Sequence, residues 1–360
     1  MILTSERLFQ QAEGLKSRFK YKDALNLLKK SLISYKKNHD IEGMLNCLMS
    51  MGDLYRMMGK FGNAGKNYTQ SIELARKLKD MTILVDARVG LGLSLRAVGR
   101  WHDALNFFTK AERSYRNNKD KEGMAFVQWA KGGALRIKGD IPGAISSFRK
   151  SIAIYRTLRF ENGIGYSLCG LGGTSRVAGL FRDSLKYYTA ANKVFTGLKD
   201  IFGTAYSHCG IGNAFRMLGD YENALVHFKK ATGLYNRIGD IVSYSYTLWS
   251  LGTTFMMIGE PDKAMYYFKQ AYRLFRKTKD PRGIIYCRLG EGQVAYMQGN
   301  IHSAQRNFQS ALSDSIANKL SLEGCHARIL LSFVDGKLDS RCYNRLGLRL
   351  KFRPIPFSIP

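Results

Sequence analysis

The feature that most constrains this chain is a 40-residue period. Gly59, Gly99, Gly139, Gly179, Gly219, Gly259 and Gly299 fall in one register, and Gly52, Gly92, Gly132, Gly172, Gly212, Gly252 and Gly292 in another. Ala24, Ala64, Ala104, Ala144, Ala224, Ala264 and Ala304 make a third, with Ser184 in its gap. An aromatic column, Tyr68, Phe108, Phe148, Tyr188, Phe228, Phe268 and Phe308, makes a fourth, with Leu28 at its head. Columns kept over so many units without one insertion mean a stacked array of a single supersecondary unit, not two or three independent domains.

Each unit reads as two helices. Asp200 to Leu218 has apolar residues at helical spacing and Tyr221 to Ile238 repeats the pattern. Asp40, Asp80, Asp120, Asp200, Asp240 and Asp280 head successive units, where a carboxylate can cap the first helix. The Gly59 column ends that helix as a C′ glycine does. Pro142 and Pro261 fall near the start of second helices, where the missing N–H has no helical partner. The low proline count, 6 in 360 residues, agrees with a helical chain, and the high glycine count, 36, is largely the registered columns. Glycine inside a helix costs about 1 kcal/mol relative to alanine, and close packing at the helix contacts is the expected offset. Gly170-Leu171-Gly172 and Gly210-Ile211-Gly212 lie inside helices, follow no strand and precede no Gly-Lys-Ser/Thr, so they are not nucleotide loops.

A helix-turn-helix unit with small residues at Gly52 and Ala64 and aromatics at Tyr55 and Tyr68 resembles the tetratricopeptide repeat (TPR). The unit with Gly212, Phe215, Gly219, Tyr221, Ala224, Phe228 and Ala231 carries most of its pattern. The usual TPR has a proline near its end. Here Arg76, Arg116, Arg156 or Arg276 stands there, which lets the second helix run on. In this the chain resembles the longer repeats of LGN/Pins-like scaffolds, with phrases such as Ile211-Gly212 to Gly219-Asp220-Tyr221. The resemblance implies an all-α fold, a right-handed superhelical solenoid of about eight TPR-like helix pairs plus a C-terminal capping helix. The units run 1–39, 40–79, 80–119, 120–159, 160–199, 200–239, 240–279 and 280–319, with the cap at 320–334, making one solenoid over 1–334. Residues 335–360 break the repeat. This tail carries Arg341, Arg345, Arg349, Lys351 and Arg353, ends RPIPFSIP, and reads as a basic, partly extended arm.

In TPR superhelices the first helix of each pair lines the concave groove. That resemblance maps groove positions to the columns beginning at Asn46, Met49, Asp53 and Arg56, whose spacing shares one helix face. Two columns are unusual. One is Arg56, Arg96, Arg136, Arg176 and Arg216. The other runs from Asn46, Asp86 and Phe126 into Tyr166, Tyr206, Tyr246 and Tyr286. Trp129, Trp249, Asn213, Gln293 and small residues lie between them. Guanidinium forks suit carboxylates or phosphates, and tyrosines give rigid contact area with a polar tip. With helices about 8–10 Å apart and a strand rising about 3.3 Å per residue, an extended ligand meets one arginine roughly every third residue. Structural duties are the alternative for both columns: arginines satisfying helix C-termini or pairing internally (Arg136 with Asp140, Arg216 with Asp220), tyrosines filling space between first helices.

The net charge is +28, from 56 Lys+Arg against 28 Asp+Glu, with much of it on second helices and unit ends. Such a field favours anionic partners. The reading that follows is a non-catalytic interaction scaffold that binds an acidic, extended or helical segment of a protein partner in its groove. RNA or other single-stranded nucleic acid on the same arginines and aromatics is the first alternative, and a peptide-responsive TPR regulator the second. No cofactor, metal site or enzymatic constellation is expected: the six histidines show no metal-ligand spacing and no catalytic motif appears. No apolar run of about 18 residues occurs and Met1 to Lys20 lacks a secretory h-region. The six cysteines form no CxxC pair and read as reduced thiols, so a cytoplasmic setting is expected. Oligomeric state is not encoded in any of these signals.

Overall fold

The structure, a computed structural model, describes residues 4–337, 339, 341–348 and 355–360. Among them no strand occurs. The helices follow the period: α1 Ser5–Ser17, α2 Tyr21–Lys37, α3 Ile41–Met57, α4 Phe61–Leu78, α5 Met81–Ala97 and α6 Trp101–Asn117. They continue as α7 Lys121–Lys138, α8 Ile141–Thr157, α9 Glu161–Val177, α10 Phe181–Gly197, α11 Ile201–Leu218 and α12 Tyr221–Ile238. Then come α13 Ile241–Ile258, α14 Pro261–Thr278, α15 Pro281–Met297, α16 Ile301–Ala317, α17 Ser321–Val334 and the short α18 Arg341–Arg345. All-α architecture in antiparallel pairs is thus what the chain forms. Every helix pairs with the next inside two compact units, Met1–Asn118 (α1–α6) and Lys119–Pro360 (α7–α18).

Helix ends are set by the expected chemistry. The Oδ1 atoms of Asp40, Asp80, Asp120 and Asp200 accept from the third backbone N–H of the helix that follows, at 2.8–2.9 Å. Gly219 and its period mates take positive φ at the first-helix C-termini. The second helices end in the same left-handed turn, but there lysine or arginine adopts it in six units (Lys79, Lys119, Arg159, Lys199, Lys279 and Lys319, φ between 52° and 58°), with His39 after α2 and Gly239 after α12. That strain was not visible in the glycine pattern.

The internal glycines make room for rings rather than for helix backbones. A Cβ at Gly172 would stand 2.7 Å from the Tyr188 ring of its own unit, and one at Gly210 would meet the other edge of the same ring closer still. Phe148 is held likewise between Gly132 and Gly170, Tyr68 between Gly52 and Gly90, and Phe268 between Gly252 and Gly290. Each of these four aromatics is therefore clamped between the first helix of its own unit and that of the next. Burying a whole ring offsets the helix propensity lost at two glycines.

In the second unit the first helices α7, α9, α11, α13, α15 and α17 also pack against one another in succession, and α17 packs against α7. The end of this unit therefore meets its own beginning. Ile141, Val177 and Ala178 from the start share a core with Leu322, Cys325 and Ile329 of α17 and with Tyr343 and Leu348 of the tail. The tail is drawn in by a disulfide between Cys325 and Cys342, with Cα atoms 5.6 Å apart. This corrects the expectation of six reduced thiols, and the argument from thiols to a compartment falls with it. Sequence spacing missed the bond because Cys342 lies outside the repeat and only the fold-back of α18 sets it beside α17. Cys47, Cys169, Cys209 and Cys287 are thiols. No helix among the described residues is long and apolar enough to cross a membrane.

Candidate functional site

The arginine column lies near the C-terminal ends of first helices, where the period places it. In the second unit it is poorly compensated. Arg176 Nε and Nη1 are buried without a hydrogen-bond partner among the described residues. Arg216 is 1% exposed. Its Nε and Nη2 donate to Asn213 Oδ1 at 3.4 and 3.1 Å, and its guanidinium lies 5.5 Å from the Trp249 ring centroid. Burial and the positive charge of Arg176 lower the Arg216 pKa to about 9. Arg136 is half-buried, its Nη1 set against Gly173. Neither internal pair considered from sequence forms, because Asp140 and Asp220 instead cap α8 and α12 by accepting from the Gly143 and Asn223 N–H groups at 3.0 and 3.1 Å.

Most of the tyrosine column is spent on holding successive units together. Tyr166 Oη donates to Asp200 Oδ2 at 2.9 Å and Tyr246 Oη to Asp280 Oδ2 at 2.7 Å, each reaching the carboxylate that caps the next unit. Tyr286 Oη donates to Glu323 Oε1 at 3.2 Å. Burial and these carboxylates push all three phenols well above their usual pKa. Tyr206 stacks on Phe202 with centroids 6.2 Å apart. Trp129 stacks on Phe126 at 5.5 Å. Trp249 is buried, packs on Tyr286 and donates its indole N–H to the Tyr286 carbonyl at 3.1 Å. The structure thus gathers Arg216, Asn213, Trp249 and Tyr286 into one place and uses Tyr166 and Tyr246 elsewhere.

That place holds a further stretch of the chain. Arg216 Nη1 donates to Ser358 Oγ, and Arg216 Nη2 donates to the Ile359 carbonyl at 3.0 Å. The Phe357 N–H donates to Gln293 Oε1 at 2.6 Å, and Ser358 Oγ donates to Met217 Sδ at 3.4 Å. Phe357 and Ile359 are buried. The tail was expected as a basic arm. Of its basic residues, Arg341 is exposed and pairs with Asp339 at 2.8 Å, Arg345 is exposed, and Arg349, Lys351 and Arg353 lie outside the described residues. Gln293 shares a period column with Asn213. It is 1% exposed and its Nε2 has no partner among the described residues.

Other residues joined here were not singled out as a group by the sequence. Glu323 is fully buried, receives Arg282 Nε at 2.8 Å, and leaves Oε2 without a partner among the described residues. His326 Nδ1 lies 2.5 Å from Tyr343 Oη, and burial lowers its pKa to about 4. His208 and His227, on α11 and α12, meet at 3.0 Å. They are not at metal-ligand spacing in sequence, and only the helix pairing brings them together. Among the described residues no cluster of three or more metal-ligating side chains occurs.

In the first unit Arg56 is answered by a carboxylate. Its Nη2 reaches Asp53 Oδ1 at 3.4 Å, which also accepts Tyr68 Oη at 2.7 Å. Arg96, on α5, is half-buried. Lys16, one period before Arg56, pairs with Glu13 at 2.9 Å.

Residues 205–238 match the Tetratricopeptide repeat family. With its helix pairs in 40-residue register, the chain is a tetratricopeptide-type repeat protein. No curated protein matches it significantly. Among solved structures it is similar to the Rap conjugation gene regulator of plasmid pLS20 in complex with the Phr* peptide, at 12% identity over 88% of this chain and 96% of that one, with a TM-score of 0.67. A Rap protein complexed with Competence and Sporulation Factor gives 12% identity, 92% and 98% coverage and a TM-score of 0.61. The apo form of RapI gives 14%, 75% and 97%, and 0.56. At these identities the likeness is one of fold.

Proposed function

We propose that the chain is a protein-interaction repeat scaffold whose second unit binds an extended, acidic segment of a partner protein or peptide along its first-helix face. Carboxylates sit on Arg136, Arg176 and Arg216, and Gln293 and Asn213 hold the ligand main chain. The observation that carries this reading is the pair Arg216, 1% exposed, and Arg176, whose Nε and Nη1 are buried and unpartnered, neither with a carboxylate within ion-pair distance among the described residues. A buried guanidinium without counter-charge costs several kcal/mol, and an incoming carboxylate turns that cost into bidentate, charge-assisted hydrogen bonds. Two structures of similar fold were determined with the Phr* peptide or with Competence and Sporulation Factor. This favours a peptide-responsive regulator as the biological form of the same groove. The nucleic-acid alternative draws less support, because Trp249 is buried against Tyr286 and not available for a base to stack on.

The test is titration of fluorescent hexaglutamate and of single-stranded RNA against salt, for the chain and for Arg136→Glu with Arg176→Glu. Saturable hexaglutamate binding that the double change removes supports the groove. RNA binding that the double change leaves intact, with no hexaglutamate binding, contradicts it.

A further inference from the structure

The segment Ile355–Pro360 occupies the place where the proposed ligand would lie. It makes polar contacts of two kinds. Its main chain is read by Gln293, through the Phe357 N–H, and by Arg216, through the Ile359 carbonyl. Its one polar side chain, Ser358, meets Arg216 Nη1 and Met217 Sδ. Phe357 and Ile359 supply buried apolar surface. The contacts join α11 to α15, two first helices separated by α13. Main-chain hydrogen bonds with alternate buried side chains are how an extended peptide is recognised.

The side chains of the occupant carry no charge. The segment offers Arg216 a hydroxyl and a carbonyl where a carboxylate would make charge-assisted bonds, and it leaves the Arg176 donors and Gln293 Nε2 unused. A carboxylate would add the opposite charge and the bidentate geometry that a hydroxyl and a carbonyl lack. The site is thus filled by a ligand that satisfies its shape and main-chain donors but not its charge.

We infer that residues 355–360 act as an internal, displaceable ligand of the groove between α11 and α15, and that an acidic partner segment competes with them for Arg216 and Gln293. The inference rests on the proposed peptide-binding role, and its test separates the two. In the full chain, hydrogen exchange reports the Phe357 amide. Phe357→Ser with Ile359→Ser removes the buried apolar anchors and releases the segment without adding charge or touching the repeats, and fluorescent hexaglutamate probes the groove. The amide is expected to be protected at least tenfold over an unstructured peptide, and the release variant to bind hexaglutamate at least tenfold more tightly than the parent. A Phe357 amide exchanging at the unstructured rate overturns the inference. So does equal hexaglutamate affinity in parent and variant, which would leave the groove reading standing. If hexaglutamate binds neither chain, the acidic reading fails, and labelled acetyl-Ile-Pro-Phe-Ser-Ile-Pro decides the internal ligand. Binding of this probe to the release variant and not to the parent upholds it, and binding to neither overturns it.

Discussion

Arg56 and Arg216 stand at the same point of the 40-residue period, one in each unit, and meet opposite surroundings. In the first unit the residue three positions earlier is a carboxylate in two periods of three, Asp53 before Arg56 and Glu13 before Lys16, while Leu93 stands before Arg96. In the second unit that position is Gly133, Gly173 or Asn213, before Arg136, Arg176 and Arg216. The helix geometry is the same, since residues three apart are neighbours on one face. Only the counter-charge is removed. The first unit spends Lys16 and Arg56 on intrahelical pairs, that of Arg56 and Asp53 with side chains about a third exposed, which contribute little. The second unit closes on itself, buries Arg216 and leaves Arg176 Nε and Nη1 without a partner among the described residues, where the first leaves only Arg56 Nε. The same scaffold position thus carries a partly solvated ion pair at Arg56 and, in the proposed function, ligand capture at Arg216.

The comparison breaks first at the closure. Ile329→Ala removes a fully buried side chain from the core that joins the end of the second unit to its start. It should cost about 3–4 kcal/mol, read by hydrogen exchange as lost protection in α7–α17 with α1–α6 unchanged. Equal loss in both units would contradict separate packing. Reducing the Cys325–Cys342 bond, which closes a 17-residue separation, should destabilise the same unit by about 3 kcal/mol and expose Tyr343, measured by denaturant unfolding with and without reductant. An unchanged midpoint would show the tail docked without it.

Acid sharpens the contrast next. Burial lowers the folded-state pKa of His326 and of His208 from 6.5 to about 4, and both belong to the second unit. The unfolded chain therefore takes up these protons first. Stability from the neutral imidazoles is intact above about pH 6.5 and is lost as pH falls from there towards 4. Thermal unfolding across that window should move more in the parent than in His326→Gln, and an identical pH slope in both would count against the assignment. The smallest change is Asp53→Asn in the first unit. It weakens a partly exposed ion pair and the acceptor of Tyr68, for about 1 kcal/mol or less, with no effect on hexaglutamate binding by the second.

Much of this was legible in the sequence, and for a physical reason. Helix pairing, caps and turns are local, and a 40-residue period repeats the local signal until chance is excluded. Asp40 or Gly219 announces its role by register alone. The arginine column was equally visible, and so was the residue type three positions before each arginine. The tyrosine column was harder to read. Its hydroxyls reach carboxylates 34 residues away, so Tyr166 and Tyr246 look identical whether they bind a ligand or tie one unit to the next. Least legible was the part outside the period. The fold-back that sets Cys342 on α17 and residues 355–360 on Arg216 spans up to 143 positions and has no repeating partner. No column could reveal it.

The account turns on the missing counter-charge beside Arg216, and Asn213→Asp restores it. Asn213 Oδ1 already accepts from Arg216 at 3.1 Å, so the change adds charge with little change of shape and gives the second unit the pairing found at Asp53. Hexaglutamate affinity of this variant, measured by isothermal titration beside its melting temperature, is predicted to fall at least tenfold while the melting temperature holds or rises. Unchanged affinity would contradict the claim that the buried arginines of the second unit are kept for an acidic ligand.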